Sequence, residues 1–418
     1  MSELLTGDAA VTVRGGPPGS TVGGLAGLAT EVLWENRAEL VAVLETFGTR
    51  TAAVDEVANS IAALRGAREE LEAHRPRPTG GLGVFLPSNN VLYSYVLFGI
   101  IPLLYSSHIT MRPSQRVAEQ SRHIHRIITS APEFKNELSI ELVSLTQKQF
   151  VARCADSDVV VFNGRPANAL AVGDKLPERT VFLAFGSGPN PVVVGAEADV
   201  RAVAGDVVRT RMYNSGQDCL CPDVVFAHDS VADDLLTAMS EAVADVPVGA
   251  RTDPTTVVAP LSYPDAVEQA AGYLAGHPGR TVRGGRVDTA TGLVAPTVID
   301  LPWDPDFCPP EFFSPVLCVM RYSTGEDVVR WLDSHTERRR GMYVSVYGED
   351  AVREGRSGTS VLLRERTALD AENGNEPLGG YGPEASHVRV GRTVTARPLL
   401  LSAELGTKPD ASAGDLDA

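Results

Sequence analysis

The clearest chemistry in the chain belongs to a single thiol. Cys219 ends the run Asn214-Ser215-Gly216-Gln217-Asp218, and Val224-Val225-Phe226 opens a strand soon after. A free cysteine is most often a small buried hydrophobe. The residues before this one are polar or glycine, which is poor core sequence. They follow a helical stripe of Val200, Val203, Ala204, Val207, Val208 and Met212, with Asp199 placed to cap it. A polar turn at a helix end can present a thiolate, the attacking form of cysteine, to a cleft. Cys221, two residues on, reads either as packing or as a resolving thiol, with packing the preferred reading. The five cysteines are odd in number and include no Cys-x-x-Cys pair, which suits a reducing cytoplasm better than a disulfide framework. Cys219 and Cys221 have no histidines near them in sequence, so no metal is expected.

Four other stretches place polar residues where strands end. Leu82–Leu86 reads as a buried strand running into Pro87-Ser88-Asn89-Asn90. A strand near His108–Met111 runs into Arg112-Pro113-Ser114-Gln115, and Asp158–Phe162 runs into Asn163-Gly164-Arg165-Pro166-Ala167-Asn168-Ala169. Farther on, a Pro-rich loop carries Glu311-Phe312-Phe313-Ser314-Pro315-Val316. Taken alone, each has a plain reading: turn chemistry for the asparagines, solvated surface for the arginines and Glu311.

Together they resemble the aldehyde dehydrogenase superfamily. Asn214, Gly216, Gln217 and Cys219 match its Asn-x-Gly-Gln-x-Cys signature. Pro87-Ser88-Asn89 is similar to Pro-Trp-Asn, Arg112-Pro113-Ser114-Gln115 to Lys-Pro-Ser-Glu, and 311–316 to Glu-x-Phe-Gly-Pro-Val. The resemblance covers roughly residues 30 to 405. It implies two Rossmann-like three-layer α/β domains, with Cys219 as nucleophile. Asn89 (Asn90 if the register slips by one) and the Cys219 N–H would form the oxyanion hole. It also implies an NAD(P) site built from Arg112, Ser114, Gln115, Gly164, Arg165, Glu311 and Phe313. Arg112 stands where most members have lysine, at the adenosine ribose, and Gln115 replaces a carboxylate that would repel a 2′-phosphate. NADP is therefore favoured over NAD. Gly164 and Arg165 fall in the turn that passes the pyrophosphate at a helix start, although Ala169 replaces its second glycine. Glu311 would receive the nicotinamide ribose and Phe313 would pack near the nicotinamide.

One departure changes the expected chemistry. Phe185-Gly186-Ser187-Gly188-Pro189-Asn190-Pro191 aligns with Glu-Leu-Gly-Gly-Lys-x-Pro, whose Glu is the general base of hydrolytic members. Phe185, or Ala184 one register away, cannot take a proton. The resemblance then points to acylating aldehyde dehydrogenases and to acyl-thioester or acyl-phosphate reductases, where the acyl-enzyme is exchanged with a thiol or phosphate instead of water. The expected direction is reduction of an activated acyl group to an aldehyde, or the reverse. Coenzyme A or a carrier protein would be partners, and the family habit implies a homodimer. A non-catalytic structural member and an oxidising enzyme with a base from elsewhere are the alternatives.

The rest of the chain must position these groups. Its 418 residues exceed one ordinary domain, and 43% hydrophobic with 22% charged residues describes a globular protein. A formal charge of −16 disfavours nucleic acid or anionic membrane as the main partner. Residues 1–24 and 406–418 read as tails, 25–187 as the cofactor-binding domain, 188–385 as the catalytic domain and 386–405 as an oligomerisation segment. A helical region from Leu25 to about His74 ends in a linker, Arg75–Gly81. Little sequence separates that linker from the next strand, so the hairpin that usually joins subunits is expected to be reduced. Further elements are expected as helices near 95–101, 231–244 and 265–275, and as strands at 181–183, 257–261, 292–298 and 397–401.

Overall fold

The computed structural model describes residues 22–134 and 138–406. The N-terminal helical region is three helices, Val22–Glu35, Arg37–Leu44 and Arg50–His74. Thr49 caps the third, its hydroxyl accepting from Ala52 N, and Arg75 ends it in the left-handed conformation. Most of the two tails lies outside the described residues; the first helix already includes 22–24.

Two seven-stranded sheets follow. The first is built from β1 (Thr79–Phe85), β2 (Ser106–Arg112), β3 (Ile140–Leu142), β4 (Val159–Asn163) and β5 (Val181–Phe185), parallel in the order β5-β4-β1-β2-β3. The second holds β6 (Val192–Val194), β7 (Val224–His228), β8 (Thr281–Arg283), β11 (Thr297–Leu301), β12 (Val316–Tyr322), β13 (Tyr343–Tyr347) and β14 (Val361–Arg364). Its order is β14-β13-β6-β7-β12-β11-β8, with only the edge strand β8 antiparallel. Between β8 and β11 a short ribbon pairs β9 (Val287–Asp288) with β10 (Leu293–Val294). The chain then returns to the first sheet. β15 (Ser386–Val390) pairs antiparallel with β5, and β16 (Thr393–Ala396) pairs with β15.

The inner strands of each sheet are buried on both faces, which is why they are continuous apolar runs without alternation. In β4, Val159 and Val161 pack toward the N-terminal helices, whereas Val160 and Phe162 pack with Phe85, Phe150 and Phe182 on the other face. In β7, Val224 and Phe226 face one core and Val225 and Ala227 the other. The chain thus forms the expected pair of three-layer α/β units. Parallel strands turn at their carboxyl ends, and β1 and β4 are neighbours reached by opposite crossovers. Such a switch point opens a crevice.

Several local expectations are corrected. Thr79–Gly81 belong to β1, not to a linker, because their backbone pairs with β2. Val257–Leu261 is no strand: one bridge, Val248 to Val258, is all it makes. Arg397–Leu401 is not a final strand either. Leu399 makes a single bridge with Leu378, and Leu401–Glu404 is a helical turn. The helix expected near 95–101 starts earlier, at Val91, and runs through a wider π turn at Val96–Ile100 to Leu104.

Candidate active site

The turn carrying Cys219 is held by its own polar residues. The helix Val200–Met212 is capped by Asp199, which accepts from Ala202 N at 3.2 Å. After it, Asn214 (φ 48°), Ser215 (φ 61°) and Gly216 (φ 75°) all occupy the left-handed region, which costs energy for the two that are not glycine. A Cβ on Gly216 would sit 2.4 Å from the Ser314 carbonyl oxygen. The strain is held by struts. Asn214 Oδ1 accepts from Thr49 N at 3.0 Å, Ser215 Oγ from Ala259 N at 2.9 Å and Gln217 Oε1 from Ser262 N at 2.8 Å. The polar turn that read as poor core sequence is nonetheless buried; Ser215, Gln217 and Asp218 are 1%, 2% and 7% exposed. Polar residues enter a core when each finds a partner.

Cys219 opens on a cavity of about 1090 Å³ between the two sheets. Every site residue expected from the sequence lines it: Asn89, Arg112, Ser114, Gln115, Gly164, Arg165, Glu311 and Phe313, with Phe185 among its walls. Asn90 donates to Asp218 Oδ2 at 3.1 Å, so its amide is committed and that of Asn89 is left to the cavity. Phe185 is buried, its ring 5.2 Å from that of Phe98. Cys221 turns away: its thiol donates to the Thr210 carbonyl at 3.1 Å, and burial pushes it up to about 12.

The thiol of Cys219 is not poised as a thiolate. Burial first, then the carboxylates of Asp218 and Glu311, hold it well above its ordinary range. A proton acceptor or a nearby positive charge must supply the activation.

The residues expected at the cofactor have a chemistry that a phosphate-bearing dinucleotide would suit. Arg112 is half-buried, with Nε donating to the Leu145 carbonyl at 2.9 Å. Gly164 (φ 146°) leads into the helix Pro166–Gly173, whose first turn borders the cavity. Glu311 is half-buried, and its Oε1, shielded from solvent, makes no hydrogen bond among the described residues, an acceptor that a ribose hydroxyl would satisfy. Burial raises its pKa, against the pull of Ser187, Arg340 and Arg165. Phe313 (φ 43°) is another strained residue, its ring edge-on to Tyr263 at 6.3 Å. Arg165, expected at the pyrophosphate turn, already has a partner. Asp265 pairs with it at 2.8 Å and with Arg116 at 2.9 Å, so a phosphate must compete with that carboxylate.

Sequence reasoning missed three sets of residues. Arg211, 1% exposed, donates to Pro222 O, Asp223 Oδ1, Gly216 O and Ser314 O. Asp223 also accepts from Phe312 N at 3.1 Å, so one buried ion pair joins the Cys219 turn to the Glu311–Phe313 loop. Its signal was a charge on the apolar stripe, four residues after Val207. Asn190 holds the Cys219 carbonyl at 2.7 Å. Glu56, Tyr93 and Glu372 form a wall beyond Cys219. Glu56 Oε1 accepts from Leu92 N and Tyr93 N, and the Tyr93 hydroxyl donates to Glu372. No local pattern marked them.

Comparison with known proteins agrees with this geometry. A family model described as "Aldehyde dehydrogenase family" matches residues 29–359. An N-succinylglutamate 5-semialdehyde dehydrogenase of Chromohalobacter salexigens is 26% identical over 384 residues, 85% of this chain and 74% of that protein. The solved glyceraldehyde-3-phosphate dehydrogenase GapN of Methanocaldococcus jannaschii, complexed with NADP, superposes with a TM-score of 0.77 at 19% identity, covering 87% of this chain and 84% of that one. A Mycobacterium tuberculosis aldehyde dehydrogenase complexed with NAD+ gives 0.76 at 20% identity, covering 90% and 85%. At these identities the two structures speak for the fold.

Proposed function

The chain belongs to the aldehyde dehydrogenase family, and from that premise we propose that it interconverts an aldehyde and an activated acyl group through a thioester on Cys219. NAD(P), when bound, supplies the hydride acceptor or donor. Arg112, Ser114, Gln115, Gly164, Arg165, Glu311 and Phe313 would hold it, and the unopposed Arg112 beside Gln115 favours NADP. In the oxidative direction the Cys219 thiol gives up its proton to water and its sulfur bonds to the carbonyl carbon, while the oxygen takes its negative charge toward the Asn89 amide and the Cys219 N–H. Loss of hydride gives the thioester. A thiol or phosphate acceptor then attacks the same carbon and Cys219 leaves as thiolate.

Phe185 carries this reading. A buried ring stands where a hydrolytic member keeps its base, and a positioned base is worth about 10²–10⁴-fold. Water should then deacylate slowly, leaving the acyl-enzyme for coenzyme A, a carrier thiol or phosphate. The relatives are named as dehydrogenases of aldehydes, which favours the oxidative direction; acyl reduction is the same path reversed. A second reading, hydrolysis to a free acid, is favoured by those names and by one observation, the unpartnered Oε1 of Glu311 as an alternative base. Aldehyde with NAD(P)+, supplied with and without coenzyme A or phosphate, separates the two. A stoichiometric burst that turns over only with an acceptor fits acyl transfer, and rapid steady-state acid formation without one rejects it.

The same reading assigns 25–187 to cofactor binding, 188–385 to catalysis and 386–405 to subunit contact in a homodimer. The open edge of β16, with Val394 on it and Val390 at the end of β15 both more than half exposed, supports that last assignment. The five free thiols suit a reducing cytoplasm. Among the described residues, no helix is long and apolar enough to cross a membrane.

A further inference from the structure

We propose that the substrate of this site is a cation, an aldehyde or acyl group whose far end carries an ammonium or quaternary ammonium. The inference rests on Cys219 as the thioester-forming nucleophile and adds the charge of what it attacks. Beyond Cys219 the cavity wall is made of Glu56, Asp218, Glu372 and Glu376, with the rings of Tyr93 and Tyr213 between them. Among the described lining residues the cations are Arg112, Arg116 and Arg165. Arg116 and Arg165 are held by Asp265, and Arg112 sits at the carboxyl end of β2. The charges that act on Glu56 and on Glu372 include the neighbouring carboxylate of Asp218 but no guanidinium.

The local bonding leaves this wall short of positive charge. Glu56 is half-buried, and both of its hydrogen bonds, from Leu92 N and Tyr93 N, go to Oε1. Oε2 makes none among the described residues, although Glu56 lines the cavity. Burial first, with Asp218 adding to it, raises this carboxyl to about 7. Removing carboxylates from water without a counter-ion is unfavourable, and a substrate cation entering the compartment would offset that cost. Aromatic rings set beside carboxylates suit an ammonium in particular, since their faces attract it. An anionic substrate end would meet like charge in a confined, poorly screened space.

Three aldehydes of matched length test the charge: 4-(trimethylammonio)butanal, its uncharged carbon isostere 5,5-dimethylhexanal, and 5-oxopentanoate. The readout is the rate constant of the cofactor burst per concentration of aldehyde, without any acyl acceptor. The cation should exceed its isostere by about 10- to 100-fold, the range of a charge-assisted contact, and the anion should be slowest. Glu372→Gln should shrink the cation-to-isostere ratio, and Glu376→Gln, on an exposed residue, serves if the first variant fails to fold. Bursts of equal efficiency with all three, or a preference for the isostere or the anion, overturn this inference and leave the thioester reading standing. No burst with any of them overturns both.

Discussion

At one end of the cavity guanidiniums stand on turns that follow parallel strands; at the other, carboxylates stand on helices and on a loop from late in the chain. Arg112 ends β2 and Arg165 follows β4, so a few residues of local sequence fix each. Glu56 lies on the helix Arg50–His74, and Glu372 meets it through Tyr93. The first end is a property of strand termini, where the fold opens its crevice whatever it binds. The second is assembled from distant segments and can change without disturbing the sheet. A cofactor end that is fixed and a substrate end that is free to vary is what such a division of labour provides.

The boundary between the ends gives the largest expected effect. Cys219→Ala should abolish turnover and the covalent acyl-enzyme seen by intact mass, while Cys221→Ala keeps most activity because its thiol packs against Thr210. Equal loss in both would move the boundary. Arg211 belongs to neither end and joins both. Arg211→Leu strands Asp223 and should cost about 3–5 kcal/mol in denaturant unfolding; a loss under 1 kcal/mol would show that the two loops stand without it. At the cofactor end, Arg112→Ala should weaken NADPH more than NADH by about 1.5–3 kcal/mol, measured by binding titration. Equal weakening would remove the 2′-phosphate from Arg112.

The last effect is spread over pH. Burial raises Glu56 to about 7 and Glu337, neither of whose carboxyl oxygens has a partner among the described residues, to about 8. The folded chain keeps these protons where the unfolded chain has already lost them. Their stabilisation is therefore present below about pH 4 and is lost as pH rises through 7 to 8, by up to about 1.4 kcal/mol per pH unit for each group. Glu337→Gln should flatten the melting temperature against pH between 5 and 8. An unchanged slope would mean that Glu337 ionises freely.

The difference between the ends also explains what was legible in the sequence. Asn89, Arg112, Gly164 and Glu311 sit in short motifs at strand ends or in one loop, and all line the cavity. The helix Val200–Met212 was readable from its stripe and its cap. The burial of Ser215 and Gln217 was not, because their partners, Ala259 and Ser262, lie more than forty residues away. The same distance hid Glu56 and Glu372. Val257–Leu261 and Arg397–Leu401 have strand composition, yet strand composition without a neighbouring edge to pair with makes only a bridge.

The return of β15 to the first sheet bears on how the chain is made. Ser386 pairs with Phe185, so the strand that covers the β5 edge is synthesised about 200 residues after it. At about 5–20 residues per second that edge waits roughly 10–40 s on the ribosome with its backbone donors and acceptors open. The first sheet can form early, but it cannot close until nearly the whole second sheet has emerged. Ribosome-bound intermediates of this protein should therefore be most vulnerable to strand addition in that interval, and a nascent chain stalled before residue 386 should need a chaperone that the finished protein does not.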